Sequence, residues 1–209
     1  MSHIRINARL FRAAHVCVST DATRYYLQGV QVEKHPVRGV FLVATDGHRM
    51  VIIHDESGSI EGESQIVRFD KTALALCKAA KSETGDRTIV IDGASATIEN
   101  RLELPVGTAY GVVIDGTFPD WRRVARPNLD STAPAAYNPK YIADFGKIAD
   151  ELSGKNSVAI SIAGDTDSPA LVRFNFIDYA YGVLMPIRFN ETPTKFPMLI
   201  DRCEDAPAY

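Results

Sequence analysis

The chain has 209 residues, of which 45% are hydrophobic and 23% charged, with a formal net charge of -3 at pH 7. This is enough apolar material for one large domain or two small ones, and the acidic balance argues against a protein that coats nucleic acid by bulk charge. No apolar run reaches the roughly 18 residues of a membrane span, there is no signal-peptide pattern, and Cys17, Cys77 and Cys203 have neither zinc-site nor paired-disulfide spacing, so a reduced cytoplasmic setting without membrane partners is expected.

In chain order, Ile4 to Ile6 reads as a short strand ending at Asn7, whose side chain can cap a helix over 8–18. Leu10, Phe11, Ala14 and Val18 form its apolar face, with Arg9 and Arg12 opposite. Strands are predicted over 25–33, 39–45 and 50–54. Between the last two, Asp46-Gly47 is a strong hairpin signal, because Gly47 accepts positive φ without steric cost. A second opening follows, Ile66 to Asp70, then a helix over 71–82 burying Ala73, Leu76, Cys77 and Ala80. Lys71, Lys78 and Lys81 share its other face, with Leu74 among them. Strands over 88–92, 95–99 and 108–115 come next. Arg126 to Pro134 is polar and proline-flanked, the best break between larger units.

The third opening is Ala135 to Asn138, with Pro139 at the first helical position, where its missing N–H costs nothing. Tyr141, Ile142, Phe145, Ile148, Ala149 and Leu152 then form one stripe at helical spacing over 139–153, and Gly154 supplies a stop. Strands over 157–163, 170–176 and 179–188 complete the unit. One strand-helix-three-strand pattern thus recurs three times with a period of about 60–65 residues. The fold class expected is α+β, with helices on one face of antiparallel sheets.

Four phrases, in order, resemble the bacterial DNA polymerase III β sliding clamp family. They are Thr23 to Gly29 (Thr-Arg-Tyr-Tyr-Leu-Gln-Gly), Leu42 to Met50 (Leu-Val-Ala-Thr-Asp-Gly-His-Arg-Met), Phe118 to Val124 (Phe-Pro-Asp-Trp-Arg-Arg-Val, with Trp121 where the family has Tyr) and Leu184 to Arg188 (Leu-Met-Pro-Ile-Arg). The resemblance implies a DNA clamp fold in which residues 1–127 match the middle domain as two half-domains, 128–190 match one C-terminal half-domain, and 191–209 form a tail. A full clamp subunit has six half-domains and closes a ring as a pair, so this is a reduced form. Counting alone then implies four chains, a homo-oligomer, for a closed ring.

The resemblance also implies two sites. A groove for peptides of DNA polymerase and clamp-loader type would take Leu27, Thr45, Gly47, His48, Arg49 and Met50 from one side and Val183, Met185, Pro186, Ile187 and Arg188 from the other. The family usually has a proline at the rim where this chain has Ala125-Arg126. Non-specific contact with double-stranded DNA would fall to Arg9, Arg12, Lys71, Lys78 and Lys81 on helix faces and to Arg24, Tyr25 and Tyr26. The third helix is a poor lining, since Lys140 and Lys147 share it with Asp144, Asp150 and Glu151. A clamp makes and breaks no bonds. Asp46 beside His48 admits a hydrolase reading, but no nucleophile motif accompanies them, and the five histidines show no metal spacing, so no catalytic residue, metal or cofactor is expected. Lys195 to Ile200 is an apolar segment that either docks in a groove or sheet face or stays disordered. The expected function is a ring-forming processivity factor; the alternative is a non-encircling module or decoy that engages clamp-binding partners.

Overall fold

The computed structural model describes residues 3–125, 135–154 and 158–187; Arg126, Arg188 and the tail 191–209 lie outside them. The chain opens with strand β1 (His3–Asn7) and helix α1 (Ala8–His15). Strands β2 (Val30–Lys34), β3 (Val40–Thr45), β4 (Arg49–Asp55), β5 (Ser59–Glu61) and β6 (Gln65–Val67) follow. After helix α2 (Lys71–Leu76) come β7 (Thr88–Asp92), β8 (Ser95–Glu99), β9 (Pro105–Tyr110) and β10 (Val113–Ile114). Helix α3 (Pro139–Ser153), β11 (Ile160–Ala163), β12 (Ala170–Phe174) and β13 (Ala180–Leu184) close the described chain.

All three helices start where their caps are written. The Asn7 side-chain oxygen accepts from the amides of Arg9 and Leu10, the Asp70 carboxylate from Ala73, and the Asn138 side-chain oxygen from Lys140. Each bond satisfies an amide that the first helical turn leaves without a backbone partner. Helix α3 has the predicted bounds, and Phe145, Ile148, Ala149 and Leu152 are buried along its stripe.

The other two helices are shorter than predicted. Helix α1 stops at His15, and α2 ends at Leu76 with Cys77 as its cap, so Lys78 and Lys81 lie beyond it and Ala80 is exposed. Only Ala73 of α2 is fully buried. A helix this short takes its stability from packing rather than from propagation, and α2 has a single face against β9. The strand predicted over 25–33 begins only at Val30; Ala22–Leu27 is a 3-10 turn, started by the Asp21 side chain accepting from the Thr23 amide. The strand predicted over 108–115 is broken at Gly111, and its two parts belong to different sheets.

The sheets do not follow the repeat boundaries. One runs β5-β1-β7-β8-β9 and the other β10-β6-β2-β3-β4-β13-β12-β11. Strand β1, which opens the first unit, pairs with β7 of the second, and β6, which opens the second unit, pairs with β2 of the first. The first two units therefore exchange their opening strands and cannot separate without breaking both sheets. The third unit joins through β13, antiparallel to β4 with Val183 opposite Met50 and Gly182 opposite Val51. Its own opening strand is reduced to one bridge, Ala136 to Ile187.

Because side chains alternate along a strand, the eight-stranded sheet has two apolar faces. Leu42, Ala44, Val51, Ile53 and Leu184 belong to the main core with Phe11 of α1 and Phe145 of α3. Val43, Met50, Ile52 and Val183 point the other way and join Trp121 in a second cluster. Helices α1 and α3 pack on each other on the first face, leaving the second for the site below.

Candidate peptide-binding groove

The hairpin between β3 and β4 sets one wall. Gly47 has φ +90°, as the turn requires. The Asp46 carboxylate accepts from the amides of His48 at 2.9 Å and Arg49 at 3.0 Å, and the Thr45 hydroxyl donates to the Arg49 carbonyl at 2.7 Å. Arg24 braces the turn from outside, donating to the Asp46 carbonyl at 2.9 Å and to Asp21 at 3.0 Å. The turn is fixed by side chains of its own residues, so it presents Met50 and His48 in a set orientation.

Strand β13, paired alongside β4, extends the floor. Beyond it, the Met185 amide donates to the His48 carbonyl at 2.9 Å, continuing the pairing past the end of the strand. A groove of about 210 Å³ lies over the face these two strands share, lined by Leu27, Thr45, Gly47, His48, Arg49, Met50, Val183 and Met185. Leu27, Met50 and Val183 are buried in its floor, while Met185 keeps 38% of its surface exposed at the lip. Pro186 and Ile187 fall just outside the lining, and the Ile187 amide is engaged by the Ala136 carbonyl at 2.8 Å. Eight of the expected groove residues thus converge, from elements more than a hundred positions apart in the chain.

The other wall was not assigned to the groove from sequence. Phe118, Pro119, Asp120, Trp121 and Val124 complete the lining. Trp121–Arg123 is a 3-10 turn capped by Asp120, with Phe118 before it and Val124 after it. The spacing of Phe118, Trp121 and Val124 was the available signal. Trp121 is buried, its indole N–H donates to Glu33 at 3.2 Å, and Arg122 lies over its ring at 4.2 Å while pairing with Glu33. Ala125 packs against the same cluster.

Chemically this is a surface for apolar side chains with a few polar anchors. Asp46 and His48 do not form a hydrogen-bonded pair: His48 Nδ1 and the Asp46 carboxylate stand 3.9 Å apart, and the carboxylate is committed to the turn. Among the described residues no group of three or more His, Cys, Asp or Glu could hold a metal ion, and no helix is long and apolar enough to cross a membrane.

The cationic residues on the helix side are placed differently from the expectation. Arg9 donates through Nε to Asp86 at 2.9 Å and through Nη1 to the Glu151 carbonyl at 3.0 Å, and Arg12 pairs with the Glu151 carboxylate at 2.7 Å. Both tie α1 to its neighbours. Lys71, Lys78 and Lys81 are exposed. Tyr25 is exposed and stands edge-on to Tyr26.

Residues 5–120, more than half of the chain, match the family model for the central domain of the DNA polymerase III beta subunit. The chain belongs to that family. It is 29% identical over 125 residues to the beta sliding clamp of Vibrio cholerae, covering 59% of this chain and 32% of that protein. Against the beta sliding clamp of Caulobacter vibrioides it is 31% identical over 121 residues, covering 56% and 31%. The chain spans about a third of the length of these relatives. Its fold is that of solved clamps. The sliding clamp of Bartonella birtlesii, determined bound to griselimycin, superposes with a TM-score of 0.64 at 20% identity, over 90% of this chain and 66% of that one. DNA polymerase III subunit beta of Borrelia burgdorferi gives 0.65 at 15% identity, over 90% and 64%. The structural likeness extends beyond the sequence match into the third unit.

Proposed function

We propose that this protein is a cytoplasmic, non-enzymatic processivity factor of DNA replication. Several copies enclose duplex DNA, and the groove holds a peptide of the polymerase or of a clamp-loader-type partner. The observation that carries this reading is the groove itself: β4, β13 and the Trp121 turn converge on one apolar cleft although the third unit lies outside the matched central domain. Its apolar floor takes aliphatic or aromatic side chains, and Met50 and Met185 adapt to different ones.

Residues 1–127 act as one clamp domain of two half-domains and 128–190 as a further half. Two lone halves pairing about a two-fold axis would make a composite domain, so that four chains close a ring. DNA is attracted without sequence preference by Lys71, Lys78 and Lys81, and the family resemblance adds Arg24, Tyr25 and Tyr26, although Arg24 is already paired with Asp21; such attraction weakens with salt. Arg9 and Arg12 contribute less, because each already faces a carboxylate.

Native mass in solution, followed by retention on closed circular DNA against loss from linear DNA, tests the reading. A monomer that leaves both DNAs equally fast refutes the ring. One observation favours a second reading, a non-encircling module that engages clamp-binding partners: the cations of α1 are neutralised by Asp86 and Glu151, and such a module needs no basic lining. It predicts peptide binding without topological retention on circles.

A further inference from the structure

The groove lies where the described chain ends. Met185 stands on its lip, Ile187 follows two residues later, and residues 188–209 come after it. Among these, Phe196-Pro197-Met198-Leu199-Ile200 is an unbroken apolar run between Lys195 and Asp201. Such a run left in water gains by covering apolar surface, and the groove is the nearby apolar surface, with Met185 and Val124 exposed at its edges. From Ile187 to Phe196 the chain can extend roughly 30 Å, so it can turn back over a wall that starts only two residues upstream. Charge is a minor factor: Asp201, Glu204 and Asp205 outnumber Lys195 and Arg202 by one, and beside the groove Arg123 is exposed while Arg122 is paired with Glu33.

We propose that residues 195–201 of the same chain occupy the groove, so that an outside peptide binds only by displacing them. This rests on reading the groove as a peptide site. Tethering makes a weak segment effective. A short flexible linker gives an effective concentration on the order of 1 mM, so a segment with an affinity of only about 0.1 mM fills the groove roughly nine-tenths of the time. Outside peptides then bind about tenfold more weakly.

The chain carries its own probe. Trp121 is its single tryptophan and lines the groove, while burial pushes the thiols of Cys17 and Cys77 up to about 12, directing a maleimide acceptor dye to Cys203. Energy transfer from Trp121 to the dye is measured in the full chain and in the full-length variant Phe196→Asp/Leu199→Asp. Affinity for a fluorescent synthetic peptide of residues 193–203 is measured on both unlabelled proteins. The expected result is strong, concentration-independent transfer in the parent, its loss in the variant, and peptide binding about tenfold tighter to the variant. Equal transfer and equal affinity in both overturn the proposal. Transfer that grows with protein concentration overturns it in favour of a second copy as donor of the segment. Peptide binding to neither protein overturns it together with the groove reading, whereas a failed DNA-retention assay leaves it standing.

Discussion

Arg49 of β4 and Asp144 of α3 form a hydrogen-bonded ion pair that joins the first unit to the third. The same guanidinium donates to the Val16 carbonyl at 3.1 Å and lies over the Tyr141 ring at 4.8 Å, and Lys147 donates to Asp144 at 2.6 Å. Only 10% of the Arg49 side chain and 18% of that of Asp144 is exposed. Arg49 also lines the groove, so one residue seats α3 against the sheet and shapes the peptide site on its far side.

Asp144→Ala removes the hydrogen-bonded carboxylate of a buried guanidinium and leaves it only the longer contact to Asp46, at 3.4 Å, and the Val16 carbonyl. The expected loss is about 2–3 kcal/mol of unfolding free energy, read as a lower urea midpoint. Replacing both residues by apolar ones, Arg49→Met with Asp144→Leu, recovers most of it, because no lone charge remains.

The pair also makes stability pH-dependent. Burial raises the Asp144 carboxyl, but hydrogen bonds from Lys147 and Arg49 outweigh it and hold the group below the ordinary aspartate range. A carboxyl depressed in the fold stabilises it fully above its unfolded value of about 4. That contribution is lost as pH falls from there through the folded value. Denaturation followed between neutral and acid pH therefore steepens below about 4 in the parent, and less so in Asp144→Asn.

Gly182 on β13 faces Phe145 of α3, and a Cβ there would collide with the phenyl ring. Phe145 is fully buried, so its ring must shift within the core. Gly182→Ala lifts α3 from the sheet and costs about 2–3 kcal/mol; the same substitution at Gly146, where a Cβ meets nothing within 4 Å, is the control.

Met185→Glu places a carboxylate on the lip of the groove without touching the core. Thermal stability should change by no more than about 0.5 kcal/mol. Binding of a polymerase-derived peptide, followed by fluorescence anisotropy, should weaken by tenfold or more, since an apolar ligand group would then face an unpaired charge, at about 2 kcal/mol.

Replacing Lys71, Lys78 and Lys81 together by Gln tests the DNA face. If all three meet phosphates, the slope of log affinity against log salt becomes shallower by roughly 3, and duplex binding at low salt weakens. An unchanged slope would place the duplex elsewhere. Arg12→Gln should instead lower stability, because its carboxylate partner Glu151 belongs to this chain.

Local chemistry made the starts of the helices and the tight hairpin legible in the sequence. Asn7, Asp70, Asn138 and Asp46 each act on amides within three residues of themselves, so nothing distant has to be known. The stripe of α3 was legible for the same reason, being long and regular. The end of α2 was not, because Leu76 to Lys81 continues a helical pattern in the sequence although the helix ends at Leu76. Trp121 was visible in a phrase but not as a groove wall, since its place depends on Glu33, 88 positions away.

By itself, then, the sequence determined the caps, the turn, the three-fold recurrence and, through four phrases, the two segments that supply most of the groove's lining. Only the tertiary structure decided that β1 and β6 trade sheets, that β4 and β13 pair, and that Arg9 and Arg12 point at carboxylates. The physical reason is reach: caps and turns are settled by bonds a few residues long. Strand partners and ion pairs are settled by which surfaces the whole chain brings together, and a pattern of alternating apolar residues fits many edges equally well.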